Sequence, residues 1–105
     1  MKSFFLAKHT DYVTYNITIH LPQVYKFVLV EVPGEEPVLI CGTRDFDWHY
    51  QIVEQALTCG IVPNTVPDSW ISGGKIKNGE LNWHSSVYGD VPVEQRSAVA
   101  AVLGL

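Results

Sequence analysis

Residues 24–32, VYKFVLVEV, limit the fold more than any other stretch of the chain. β-Branched and aromatic side chains occupy both parities of the run, so a strand built from it has no wet face. Such a strand belongs at the centre of a sheet that is covered on both sides. Lys26 and Glu31 are the charged residues inside it, and Lys26 is in phase with Val24, Val28, Val30 and Val32.

The neighbouring segments supply the rest of a sheet and its cover. Residues 12–21, YVTYNITIHL, alternate: Val13, Tyr15, Ile17, Ile19 and Leu21 share one face and Thr14, Asn16, Thr18 and His20 the other. That is a strand with one buried side. PGEEP, 33–37, is a loop, and VLICG, 38–42, pairs with the central run as a hairpin. Asp47 reads as the N-cap of a helix WHYQIVEQALTC, with Trp48, Ile52, Val53, Ala56 and Leu57 at helical spacing and Gly60 as its stop. Strands at 70–76 and 81–87 flank Asn78-Gly79, the residue pair of a type I′ hairpin turn. A second helix over 93–103 opens after Pro92, with Val93, Ala98, Ala101 and Val102 as its apolar stripe. The order strands, helix, hairpin, helix predicts one α+β domain over residues 1–105, a single mixed β-sheet flanked by two helices.

Charge and cysteine usage exclude several classes of function. The net charge of −4 leaves no surplus of Lys and Arg to neutralise a phosphate backbone, so nucleic acid is not an expected partner. Charged residues are only 17%, a low-charge surface compatible with a monomer or weak dimer. Cys41 and Cys59 are too few for a disulfide framework and read as reduced thiols. No apolar run reaches the roughly 20 residues that a membrane helix needs. The opening MKSFFLAKH is interrupted by Lys8 before a signal-peptide core can form, so the expected location is the cytoplasm.

Four places could carry chemistry. With Asp47 as N-cap, His49 falls at the second helical position, where unpaired N–H groups and the helix dipole favour a nearby anion and a neutral imidazole. A neutral imidazole can act as nucleophile or general base; the same histidine could equally be packed between Trp48 and Tyr50. Lys26 either snorkels from the sheet or serves a site. Gly73 and Gly74, inside SGGKI, expose strand backbone just before Lys75. HSSVYG, residues 84–89, brings two hydroxyls into a turn whose N–H groups can form an anion-binding nest. His9, His20, His49 and His84 show no paired zinc-ligand spacing, and no metal is expected.

Taken in order, these segments resemble the Janus/phosphohistidine phosphatase family. The resemblance is carried by Tyr25-Lys26-Phe27, Trp48-His49 at a helix start, Gly73-Gly74-Lys75-Ile76, and the turn from Ser85 to Gly89, and it spans residues 24–89. It implies a small α+β fold of the kind read above. It also implies a metal-independent hydrolase that needs no cofactor and removes phosphate from phosphohistidine in a phosphorylated protein or from a small phosphoramidate. His49 would be the catalytic nucleophile or general base. Lys26, Lys75, Ser85, Ser86 and Val87 would hold the phosphate. Two positions depart from the family's pattern: Cys41 stands where it usually carries arginine, and Lys75 where it carries arginine after the glycine pair. A non-catalytic phosphate or phosphopeptide-binding module on the same fold is the alternative.

Overall fold

The computed structural model describes residues 1–6, 13–14, 24–43 and 46–105, with backbone alone at 13, 14 and 24. Six strands form one sheet: β1 (Lys2–Leu6), β2 (Val13–Thr14), β3 (Val24–Val30), β4 (Val38–Gly42), β5 (Ile71–Lys77) and β6 (Glu80–Asn82). Their spatial order is β2-β1-β4-β3-β5-β6. β1 runs parallel to β4 and every other pairing is antiparallel, so the sheet is mixed. Of the strand read over 12–21, only Val13–Thr14 falls within the described residues; His9, His20, Arg44 and Asp45 lie outside them.

β3 lies at the centre, between β4 and β5, with a covered layer on each face. Helix α1 (His49–Thr58) covers one face, where Val28, Val30, Leu6, Ile40 and Ile71 meet Phe46, Ile52, Val53 and Ala56. Helix α2 (Val93–Leu103) covers the other, where Phe27, Leu29, Leu39, Cys41 and Ile76 meet Val91, Val99 and Leu103. The two-parity apolar pattern of 24–32 is thus spent on two separate cores. Each fully buried Val, Leu, Ile or Phe in them contributes about 1.5–3 kcal/mol.

Two boundaries and one helix phase differ from the sequence expectation. The N-cap of α1 is Trp48, not Asp47, which moves His49 to the first helical position. Gln51 decides this: its Oε1 accepts from the backbone N–H of both Asp47 and Trp48, at 3.0 and 3.1 Å, so no aspartate side chain is needed there. In α2 the inward residues are Val99 and Leu103, while Val93 is 74% exposed and Ala98, Ala101 and Val102 face solvent. Alanine and valine surround this helix, so its phase is fixed by Arg96. The guanidinium lies over the Trp83 ring at 5.6 Å, and its Nε donates to Val91 O at 3.0 Å.

The third difference shapes the site. β6 ends at Asn82 rather than running to 87. Asn82 Oδ1 accepts from His84 N–H at 3.0 Å and turns the chain out of the ladder. The hairpin itself is as expected, with φ of 52° at Asn78 and 79° at Gly79. α1 closes as expected too: Gly60 and Ile61 donate to Leu57 O and Ala56 O.

Candidate functional site

The early end of β6 leaves part of β5 without a partner strand, and the loop after it takes that place. Ser85 and Gly89 exchange backbone hydrogen bonds at 3.3 and 2.7 Å, and Gly89 O also accepts from Gly73 N–H at 3.3 Å. Inside this closed loop Tyr88 N–H donates to Ser85 Oγ at 3.2 Å. Ser85 is buried, while Ser86 and Val87 are exposed at the tip. Among the described residues no partner accepts from the N–H of Ser86 or Val87. Those two donors and the Ser85 hydroxyl proton remain free for a ligand.

Gly73 is where this loop meets α1. A side-chain carbon there would lie 3.0 Å from His49 Cδ2 and 3.2 Å from Ser85 Cβ, and 2.9 Å from Phe27 O. Only a residue without Cβ lets the histidine and the serine settle on the sheet from two sides. Gly74 is tighter still, with Asn82 O at 2.2 Å and Phe27 Cζ at 2.7 Å from the same hypothetical carbon.

His49 lies on the inward face of α1, in line with Ile52, Val53 and Ala56, and is 7% exposed. Its Nε2 lies 2.8 Å from Gly74 O. A carbonyl only accepts, so Nε2 carries the proton and Nδ1 holds the lone pair of the neutral ring. Among the described residues, the buried side-chain atoms without a partner are Thr43 Oγ1 and Ser72 Oγ. Nδ1 is not one of them, and it makes no hydrogen bond among the described residues. Burial lowers the His49 pKa below its ordinary value; the Gly74 bond opposes this, and the charges of Lys26, Lys75 and His84 push it down further. Trp48 and Tyr50, between which the histidine could have been packed, point outward at 53% and 41% exposure. The Gly74 carbonyl orients the imidazole.

The sheet register brings Lys26 and Lys75 directly opposite each other, on the face that α1 covers. Lys26 Nζ donates to Phe46 O at 3.3 Å, which ties it to the segment entering α1. Among the described residues neither lysine has a carboxylate partner. Like charges facing across a strand pair are destabilising, so the arrangement favours an anion between them. Cys41 takes no part. It lies on the α2 face, fully buried, with its thiol pushed up to about 12 by desolvation.

Two more observations bound the site. His84, missed as a site residue in the sequence, has its Nδ1 2.6 Å from Asp90 Oδ1 at the site's outer rim. A cavity of about 580 Å³ lies elsewhere, lined by Lys2, Phe4, Val32, Glu35 and Ile61 among others. None of the His49 group lines it, and its mixed wall offers no convergent donors. Among the described residues no three His, Cys, Asp or Glu side chains are grouped as a metal would require, and no helix is long and apolar enough to cross a membrane.

Comparison of the chain with known protein families, with curated proteins and with solved structures gives no match.

Proposed function

We propose that the chain is a phosphohistidine phosphatase-like hydrolase that removes phosphate from phosphohistidine in a protein or from a related small phosphoramidate. The observation that carries this reading is the Lys26–Lys75 pair, without a carboxylate partner among the described residues, beside a histidine whose Nε2 is taken by Gly74 O and whose Nδ1 has no hydrogen-bond partner there. The pair would take the phosphoryl oxygens as a point-charge clamp. Ser85, Ser86 and Val87 would add the hydroxyl and backbone donors of their loop. His49 Nδ1 would then either attack phosphorus or take a proton from the attacking water. A phosphoramidate is labile once its nitrogen leaving group is protonated, so positioning and charge neutralisation are most of what the protein must supply. No metal is needed for that chemistry. Two free thiols, Cys41 and Cys59, suit a reducing compartment such as the cytoplasm.

The test is turnover of a phosphohistidine peptide by the wild-type chain and by His49→Gln, whose amide can still donate to Gly74 O. A loss of about 10²-fold or more is expected, the scale of a positioned base. Unchanged turnover removes His49 from the chemistry. Tight binding of a non-hydrolysable phosphohistidine analogue by a wild-type chain without turnover makes this a phosphopeptide-binding module instead.

A further inference from the structure

His84 and Asp90 form a pair that the scheme above leaves unused. With Nδ1 2.6 Å from Asp90 Oδ1, the ring donates from Nδ1, because the carboxylate only accepts. Nε2 is then the nitrogen left to face a partner. The pair is held at its base. His84 N–H is fixed on Asn82 Oδ1, and Val91 N–H donates to Trp83 O at 2.9 Å. His84 and Asp90 are the residues just inside that closure. Both side chains are exposed, at 64% and 62%. His84 also directly precedes Ser85, which shares the Gly73 contact with His49. Its charge is felt at the His49 imidazole.

We propose that His84 is the general acid of the reaction, protonating the departing imidazole, and that Asp90 is its positioning residue. This rests on the hydrolase reading above. A phosphoryl group held among His49, Lys26 and Lys75 would send its leaving group toward solvent, and His84 is the exposed histidine next to Ser85 of that site. In phosphohistidine one ring nitrogen carries phosphorus and the other is free. The new bond to phosphorus forms from water, whose proton passes to His49 Nδ1, or from Nδ1 itself. The P–N bond breaks and its electron pair stays on the ring nitrogen. The free ring nitrogen takes the Nε2 proton of the His84 imidazolium, so the ring departs as neutral imidazole rather than imidazolate. His84 is left neutral. It regains a proton from solvent or, when His49 has been phosphorylated, from the water that hydrolyses that intermediate.

The experiment compares two substrates, a phosphohistidine peptide and an N-phosphoryl-N′-methylimidazolium. The second leaves as neutral methylimidazole with no proton required. His84→Gln is expected to lower kcat on phosphohistidine by about 10²-fold while leaving the methylated substrate within a few fold. Asp90→Asn should show the same selectivity with a smaller loss, in kcat and not in KM. A loss shared equally by both substrates, a loss on neither, or a wild-type chain that cleaves phosphohistidine but not the methylated substrate overturns His84 as the acid and leaves the hydrolase reading standing. A wild-type chain that cleaves neither substrate overturns both.

Discussion

The neutral state of His49 can be tested without any substrate, through the pH dependence of stability. The folded chain holds this imidazole 7% exposed, with its pKa lowered from 6.5, first by burial. In the unfolded chain it titrates near its ordinary value. As pH falls through 6.5 the unfolded state therefore takes up the proton first, and protonation favours unfolding. The stability contribution is fully present above pH 6.5 and is lost progressively below it, until the folded pKa is passed. One proton of difference sets the steepest slope, about 1.4 kcal/mol per pH unit. His49→Gln keeps a donor for Gly74 O but cannot titrate. Urea unfolding of both proteins in steps from pH 8 downward should show the wild type losing stability relative to the variant below pH 6.5. The subtraction cancels the groups that do not interact with His49. Nitrogen-15 spectra of the imidazole should show the unprotonated nitrogen at Nδ1. A His49 that protonates at or above 6.5, or a wild-type-minus-variant difference that is flat with pH, refutes the argument for a neutral, Nε2-protonated ring.

Three other outcomes follow from the same geometry. Gly74→Ala should lower stability by about 1–3 kcal/mol in denaturant unfolding, because the clash is with the backbone oxygen of Asn82; Gly73→Ala should in addition displace His49 and Ser85, so its turnover falls below what its folded fraction explains. Lys75→Met should leave the free protein equally stable or raise its stability by about 0.2–1 kcal/mol, through loss of the opposed charge, while weakening phosphate binding in a titration followed by calorimetry. Under native conditions iodoacetamide should label half-buried Cys59 and spare Cys41, whose thiol is buried and raised to about 12; equal labelling would place Cys41 outside the α2 core.

The sheet and its two helices were legible because period and turn chemistry act locally. The run at 24–32 has one satisfactory environment, and Asn78-Gly79 dictates its own hairpin. Phase on α2 was not legible, since alanine and valine surround that helix and a cation–aromatic contact between Arg96 and Trp83 chose the inward side. The end of β6 was hidden for a related reason: LNWHSSV alternates tolerably, but the loop's own backbone closure at Ser85 and Gly89 competes with the ladder and wins. At the site, the residue types could be read but their meeting could not. Whether Lys26 faces Lys75 depends on the β3–β5 register, which no local signal sets. The burial of His49 is legible from spacing, because positions 49, 52, 53 and 56 form an inward helical stripe that starts on the histidine itself. His84 and Asp90 gave no signal at their separation until Gly89 folded the turn between them.

The Lys26–Lys75 opposition also gives the site a thermodynamic signature. Two lysines in register, with no carboxylate partner among the described residues, weaken the β3–β5 pairing at the centre of the sheet. A fold selected for stability alone would place a carboxylate or an apolar residue at one of these positions, as every other pair along that ladder except Val24–Lys77 does without charge. On the proposed function, an anion seated between them would remove the repulsion and add its own contacts, so it would bind the folded state and not the unfolded one. Stabilisation would then grow with the logarithm of anion concentration once the site fills. Burial first, and then the same two lysines, lower the pKa of His49. A phosphoryl group bound by the lysines would offset their share of that effect by screening them. Ligand binding and the protonation of His49 would therefore be coupled through one pair of charges, and the arrival of the phosphoryl group would make Nδ1 more basic at the moment the proposed reaction needs a proton accepted.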